Sequence, residues 1–198
     1  MTSMDGKWAL ARLPVLLLLL AGTALIARGA AIPAKAWLAQ IMLDRAFAAS
    51  VASGEPVRAW PWADSVPVAR IRLRRLRAEQ IVLSGGSGEA LAFGPALVAG
   101  GGRLGERGTA VIAAHRDTHF RFLGQVRPGD LIEVKEVSGR ITHYRAEAAR
   151  VVRRDRFGID RHAIEPSLAL VTCWPLDGRV RGPWRYVVDA RMVRATGE

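Results

Sequence analysis

The sequence contains only one cysteine, Cys173, among its 198 residues. An internal disulfide is therefore excluded, and the cysteine content does not identify a redox compartment. The sequence also lacks an internal repeat, and beyond the N-terminal region only residues 118–126 suggest helical periodicity. These absences exclude a disulfide-stapled scaffold and an array of repeats.

Acidic residues are few compared with basic ones, 18 against 29, and the formal net charge is +11. A charge of this sign suits phosphate-rich partners such as nucleic acid or an anionic membrane. The one basic run, however, is RIRLRRLR at residues 70–77, where arginine partly alternates with Ile71, Leu73 and Leu76. Such alternation is typical of the solvent face of a strand. We therefore predict a generally basic surface and no nucleic-acid binding.

Half of the residues are apolar and 24% are charged, which is enough for one folded domain plus a short extra segment. The extra segment is N-terminal, where the uncharged run LPVLLLLLAGTALIA occupies residues 13–27. Lys7 and Arg12 precede the run and Arg28 follows it. Its length of about 15 residues is below the ~20 of an ordinary spanning helix. Two interpretations stay open, an uncleaved signal anchor and a cleavable signal peptide with a small-residue site at 34–36.

We favour the anchor, because the run is long for a signal-peptide core and the next segment continues as a juxtamembrane helix. Both interpretations export the rest of the protein, and the basic residues ahead of the run predict a cytoplasmic N-terminus. We predict a cytoplasmic tail and transmembrane anchor at residues 1–30. Residues 31–65 are predicted to form a juxtamembrane helix and a proline-rich linker, and residues 66–198 the folded domain.

From about Val68 the sequence consists of short apolar or alternating runs separated by glycine, proline and aspartate. Runs of this kind, rich in valine and isoleucine, are typical of β-strands. Many short strands at close spacing indicate an all-β fold, either a closed or nearly closed antiparallel barrel or a sandwich. The predicted strands are 68–76, 79–84, 109–114, 130–137, 140–146, 148–154, 168–173 and 184–193.

Cys173 ends one predicted strand, and the segment after it, WPLDGRVRGPW, is rich in turn residues. If the two flanking strands form a hairpin centred near residue 179, Cys173 lies opposite Arg185. A guanidinium beside a thiol favours the thiolate and can donate to a developing oxyanion. Arg179 and Arg181 compete for this role, and a slip of one residue in register would turn Arg185 to the other face.

A cysteine nucleophile also needs an acid or base, and the chain has four histidines. His115 follows the apolar run GTAVIAA, so we expect it at a strand end, where functional side chains are often presented. His143 is expected on an exposed strand position and His162 in a polar loop, while His119 is ambiguous. Asp117 either orients His115 or forms a turn.

Three stretches, LALVTC, GTAVIAAHRDTHF and RYVV, resemble the sortase family, most closely the class GN type of Gram-negative, marine proteobacterial origin. Sortases typically show an apolar strand that ends in Thr-Cys, a histidine after an upstream strand and an arginine at the start of the last strand. The matching residues here are Leu170 to Cys173, His115 and Arg185. The resemblance covers about residues 66–194 and includes Gly-Pro, His-Arg and Phe-x-x-Leu motifs in the family order.

The resemblance implies a cysteine transpeptidase on a closed eight-stranded β-barrel with short helices, preceded by an N-terminal transmembrane helix. It implies Cys173 as the nucleophile, His115 as the general acid and base, and Arg185 as the oxyanion or substrate-carbonyl donor. Thr172 is expected to line the substrate groove. The resemblance implies no metal and no organic cofactor.

The implied substrate is an exported protein with a C-terminal sorting signal of the Leu-Pro-x-Thr-Gly type. Its acyl group would pass to an amine-bearing acceptor or to water. The implied location is the inner membrane, crossed once, with the catalytic domain at residues 66–198 facing the periplasm.

Other interpretations compete with this one. HRDTH at residues 115–119 has two histidines four apart, the spacing of zinc-binding helices, but it lacks the glutamate of zinc proteases and follows a predicted strand. An exported β-barrel binding module without catalysis would use Cys173 for packing alone. A hydrolytic cysteine peptidase would share the nucleophile but would not transfer its product to an amine.

Overall fold

The computed structural model describes residues 5–160, 163–178, 180 and 182–193. The chain divides between residues 41 and 42 into two compact units. Helix α1 (Asp5–Ser53) begins in the first unit and ends in the second. The second unit contains all of the strands.

Helix α1 contains the predicted apolar run and continues through the segment predicted as a juxtamembrane helix. Its part Pro14–Ser53 is long and apolar enough to cross a membrane, a test that an N-terminal signal sequence also meets. Both interpretations of this segment therefore stay open. Residues 54–66, all of them described, are neither helix nor strand, and Pro56 and Pro61 remove backbone donors there.

Within the described residues, eight strands form a closed barrel. They are β1 (Pro67–Leu73), β2 (Ala78–Ser84), β3 (Ala96–Leu97), β4 (Thr109–Ala113), β5 (Leu131–Glu136), β6 (Ile141–Arg153), β7 (Ser167–Cys173) and β8 (Trp184–Val193). Their order around the barrel is β1, β2, β3, β4, β7, β8, β6 and β5. Between strands lie helix α2 (Gly88–Phe93) and two 3-10 helices, Arg74–Leu76 and Arg121–Gln125. The closed eight-stranded barrel with short helices confirms the predicted fold class.

The structure differs from the predicted elements in four places. The predicted strand 68–76 ends at Leu73, and Arg74–Leu76 form a 3-10 helix that turns the chain toward β2. The runs 140–146 and 148–154 form one strand, β6, because a bulge between Ala146 and Ala149 lets both halves pair with β8. Strand β3 has only two residues, too few for an alternating pattern to reveal it. The segment 118–126 is helical only as the short 3-10 helix Arg121–Gln125.

The barrel also contains two parallel strand pairs, where the sequence pattern predicts an antiparallel barrel. Strand β2 pairs in parallel with β3, and β4 pairs in parallel with β7. Strands β5 and β6 lie between β4 and β7 in the sequence, and this long connection returns the chain to the same end of the barrel, as parallel pairing requires. The β4–β7 pair is the one that leads to His115 and Cys173.

Alternation along β4, β7 and β8 separates two apolar clusters. Even-numbered residues such as Ile112, Leu170 and Val188 point into the barrel interior. Odd-numbered residues of the same strands form a second cluster, here called the outer-face cluster, which consists of Val111, Ala169, Val171 and Val187. In these three strands, even-numbered side chains therefore lie inside the barrel and odd-numbered side chains lie on its outer face.

The basic run RIRLRRLR lies on β1 and on the 3-10 helix that follows it. Ile71 and Leu73 are buried, as the alternation predicts. Arg70 and Arg72 both pair with Glu79 on β2. Exposed pairs of this kind contribute little to stability. Their presence means that neighbouring carboxylates match much of the positive charge of this run.

Candidate active site

The barrel topology brings His115, Cys173 and Arg185 to one end of three adjacent strands. Strands β4 and β7 run in parallel, and their last paired residues are Ala113 and Val171. His115 and Cys173 each follow that pair by two residues, so they lie side by side. Strand β8 pairs with the other edge of β7, and its register sets Arg185 opposite Cys173. The three predicted catalytic residues therefore lie at the same end of the barrel.

Strand alternation also points the Cys173 and Arg185 side chains in the same direction. Cys173 and Arg185 share the odd numbering of the outer-face cluster in β7 and β8. The N–H of Ala114 donates to the carbonyl of Val171 at 3.1 Å, so strand-like pairing continues up to His115. His115 is exposed, while Cys173 and Arg185 are half-buried. The thiol and the guanidinium thus lie on the outside of the barrel wall, and the exposed His115 follows the end of β4.

A buried apolar cluster extends from this end of the barrel across β4, β7 and β8. It is the outer-face cluster, and Phe157 and Ile159 from the β6–β7 connection pack against it. Arg150 on β6 holds that connection, because its Nη1 donates to the carbonyl of Phe157 at 3.2 Å. The same guanidinium forms an ion pair with Asp189 on β8. The thiol therefore lies next to a buried aliphatic cluster, against which a tethered loop packs Phe157 and Ile159.

The Arg185 guanidinium is held at the start of β8 by backbone carbonyls of residues that shortly precede it in the chain. Its Nη1 donates to the carbonyl of Trp184 at 2.8 Å and to that of Gly182 at 3.4 Å. The hairpin register predicted from the sequence is confirmed, because Cys173 and Arg185 are Cα partners. The competing residues Arg179 and Arg181 lie outside the described residues.

Thr172 points into the barrel, opposite to Cys173. It is only 2% exposed, and its hydroxyl donates to the carbonyl of Ala114 at 2.7 Å. This bond ties β7, one residue before the thiol, to the residue that precedes His115. The substrate contact expected of Thr172 stays a prediction.

His119, left ambiguous by the sequence, is attached to the scaffold near the site. Its Nδ1 lies 2.9 Å from Oε1 of Gln80 on β2. Burial lowers the pKa of His119, a hydrogen bond with the backbone of Ala92 partly opposes this shift, and the nearby His115 lowers the pKa further. His119 is therefore neutral near pH 7.

The HRDTH segment does not have the helical geometry that the zinc interpretation requires. Residues 114–120, all of them described, are not helical, so His115 and His119 do not share a helical face. Among the described residues, no group of three His, Cys, Asp or Glu side chains could hold a metal ion. His143 lies on β6 with its Nε2 3.8 Å from a carboxylate oxygen of Glu133, and His162 lies outside the described residues.

Arg116 is a residue of this region whose position no sequence pattern indicated. Its guanidinium donates to backbone carbonyls 59 to 64 residues further along the chain. They belong to the connection between β7 and β8, at Pro175, Gly178 and Val180. The His-Arg dipeptide was visible in the sequence, but partners so distant leave no local signal.

Comparison with known proteins supports the assignment of this fold. Residues 71–193 match the family model described as "Sortase domain". Sortase D of Bacillus subtilis (strain 168) is 30% identical over 88 residues, which is 44% of either chain. The match therefore spans less than half of the length of that curated relative.

Solved sortase structures share the barrel. A Sortase D5 transpeptidase of Clostridium perfringens has a TM-score of 0.58 at 21% identity, over 65% of this chain and 79% of that chain. Sortase A from Corynebacterium diphtheriae has a TM-score of 0.58 at 22% identity, over 67% of this chain and 63% of that chain. At these identities the likeness shows the fold alone. The family model, however, covers more than half of the 198 residues and includes His115, Cys173 and Arg185, so the chain belongs to the sortase family.

Proposed function

We propose that this protein is a membrane-anchored cysteine transpeptidase that cleaves a C-terminal sorting signal and transfers the product to an amine. The observation that carries the proposal is the strand register, which sets Cys173 opposite Arg185 and beside His115. A nucleophile, an acid–base group and a cationic donor around one point are the groups that acyl transfer uses. The family membership supports the same reaction class.

In the first half-reaction, His115 takes the proton of the Cys173 thiol, and the sulfur attacks the carbonyl carbon of the scissile peptide bond. The π electrons move to the oxygen, and the Arg185 guanidinium donates hydrogen bonds to this oxyanion. Collapse of the tetrahedral intermediate breaks the C–N bond, and His115 gives a proton to the leaving amine. Arg185 cannot supply that proton, because a guanidinium pKa lies above ~12. The product is a thioester on Cys173.

In the second half-reaction, an amine attacks the carbonyl carbon of the thioester. His115 takes a proton from the incoming nitrogen and passes it to the sulfur as the C–S bond breaks, which restores the thiol group. Water in place of the amine would release a free carboxylate. Both half-reactions balance with these side chains and transfer no electrons to or from a redox partner.

The surface beside the thiol supports a peptide substrate with an apolar segment. The half-buried Phe157 and Ile159, which pack against the buried outer-face cluster, offer apolar contact there. A signal of the Leu-Pro-x-Thr-Gly type would lay its leucine and proline on this surface and bring the threonine carbonyl to Cys173. Because the Thr172 side chain points inward, its proposed substrate contact is made by its backbone.

The apolar part of helix α1 supports anchoring in a membrane. In keeping with the resemblance to class GN sortases, the proposed location of the anchor is the inner membrane of a Gram-negative bacterium, with the barrel in the periplasm. The proposed partners are exported proteins that carry the sorting signal and an amine-bearing acceptor or water.

The proposal is tested by mass spectrometry of the mature C-termini of exported proteins from cells with the wild-type protein or the Cys173→Ala variant. We expect processed C-termini joined by an amide bond to an amine only in cells with the wild-type protein. The same C-termini with a free carboxylate would assign a hydrolytic peptidase. Identical C-termini in the two strains would refute the enzymatic function and leave the binding module.

A further inference from the structure

Arg116 fastens the connection between β7 and β8 to the segment that follows β4. Residues 174–178, 180, 182 and 183 of this connection are described. The Arg116 guanidinium donates to three backbone carbonyls of the connection, those of Pro175 at 2.7 Å, Val180 at 3.0 Å and Gly178 at 3.2 Å. These carbonyls come from both the β7 side and the β8 side of the turn. One side chain therefore holds the connection at several points along its length.

The chemistry of the guanidinium suits this arrangement. Its donors are spread over a rigid planar fork, so one group can serve several carbonyls that face it from different directions. Gly178 has φ +76°, a conformation that residues with a side chain rarely adopt, and it carries one of the three acceptors. A lysine ammonium is a compact point charge and does not reproduce this fork.

A second contact holds the same connection by packing. A Cβ atom placed on Gly124, in the 3-10 helix Arg121–Gln125, would lie 2.7 Å from Cδ1 of Leu176. Leu176 therefore occupies the space that the missing side chain of Gly124 leaves. The β7–β8 connection is thus held by hydrogen bonds from Arg116 and by an apolar contact with the 3-10 helix.

The held segments are the ones that carry the three catalytic side chains. The β7–β8 connection starts at Cys173 and ends just before Arg185, and Arg116 is the chain neighbour of His115. A movement of the connection relative to Arg116 would change the distances among these three residues. A misplacement of about 1 Å in such a set can lower a rate by ~100-fold.

We propose that Arg116 is a positioning residue that sets the spacing of His115, Cys173 and Arg185 by fixing the β7–β8 connection. The proposal rests on the proposed function and adds a side chain that contacts none of the reacting atoms. It assigns to Arg116 an effect on turnover rather than on folding.

The solvent exposure of the carbonyls that accept from Arg116 distinguishes an effect on turnover from an effect on folding. Gly178 and Val180 are exposed and Pro175 is half-buried, so water can reach carbonyls that lose their arginine. Replacement of one hydrogen-bond partner by water changes the free energy of unfolding little. Water is not covalently linked to His115, however, whereas Arg116 is its chain neighbour, so water cannot fix the connection relative to His115. Removal of the donors should therefore lower kcat and leave the fold in place.

The test compares Arg116→Met, which keeps an unbranched stem without donors, with Arg116→Lys, which keeps the charge. The control is Arg107→Met, an exposed arginine two residues before β4 and therefore at the opposite end of that strand from His115. Purified full-length proteins are assayed for transfer to hydroxylamine of a fluorogenic peptide that spans the processing site found by the mass spectrometry above. Unfolding in urea is measured on the same samples.

We expect Arg116→Met to lower kcat by about 10- to 100-fold with KM within about twofold of the wild-type value. Arg116→Lys should recover part of the loss, and the Arg107→Met control should match the wild type in kcat, KM and unfolding. A wild-type kcat in Arg116→Met would overturn the positioning role. The role is also overturned if a decrease in the free energy of unfolding of Arg116→Met accounts for its whole loss of kcat. Failure of the proposed function is a separate result, because it shows as the absence of any Cys173-dependent processing in the wild type.

Discussion

The buried hydroxyl of Thr172 carries a hydrogen bond whose loss can be measured. The Thr172→Val substitution keeps the shape of the side chain and replaces the hydroxyl by a methyl group. In the structure the hydroxyl donates to the carbonyl of Ala114 at 2.7 Å, and both residues are buried. The substitution therefore removes the donor from a buried carbonyl that water does not readily reach.

The expected loss follows from that burial. A buried polar group left without its partner costs about 1–3 kcal/mol, more than the ~1 kcal/mol net value of an ordinary hydrogen bond. Domains have free energies of unfolding of about 5–15 kcal/mol, so the Thr172→Val protein should still fold. The carbonyl of Ala114 directly precedes His115, so we also expect a lower kcat.

Urea unfolding of Thr172→Val, Thr172→Ser and the wild type measures this loss. With slopes of about 1–3 kcal/mol per M, a loss of about 2 kcal/mol moves the midpoint by about 1 M. Thr172→Ser keeps the donor and should retain kcat, with about 0.8 kcal/mol lost for its missing methyl group. The exposed Thr118→Val substitution serves as a control and should stay within about 0.5 kcal/mol of the wild type. A change below about 0.5 kcal/mol in Thr172→Val, with an unchanged kcat, would refute the reasoning.

Two further predictions concern Arg185 and His119. Arg185→Ala should lower kcat by about 100-fold or more, because the oxyanion loses its donor, and Arg185→Lys should restore only part of kcat. Equal kcat values for both variants and the wild type would contradict the assigned role. Because the pKa of folded His119 lies below 6.5, its usual value, the unfolded chain binds the extra proton first, so this histidine lowers stability as the pH falls below about 6.5. Urea unfolding at pH 7.5 and pH 5 should therefore show a smaller acid-induced loss in His119→Gln than in the wild type, and an equal loss would show that His119 does not contribute.

Much of the strand pattern could be predicted from the sequence because it depends on near neighbours. Alternation of Ile71 and Leu73 with arginine indicated a strand with one solvent-exposed face, and both apolar residues are buried in the structure. The symmetry of the last hairpin set Cys173 opposite Arg185, because a hairpin links residues at equal distances from its turn. Strand β3 escaped prediction because two residues are too short to form a pattern.

The sequence by itself determined which side chains could do the chemistry, and its alternation determined on which face of a strand each lies. Only the tertiary structure decided that they meet. The parallel pairing of β4 with β7 joins His115 to Cys173 across a sequence separation that includes two whole strands, and no local pattern encodes such a pairing. The same holds for the hydroxyl of Thr172 and for the guanidinium of Arg116, whose partners lie about 60 residues away. Hydrogen bonds of this kind form only after the barrel has closed, because closure brings distant backbone carbonyls within reach.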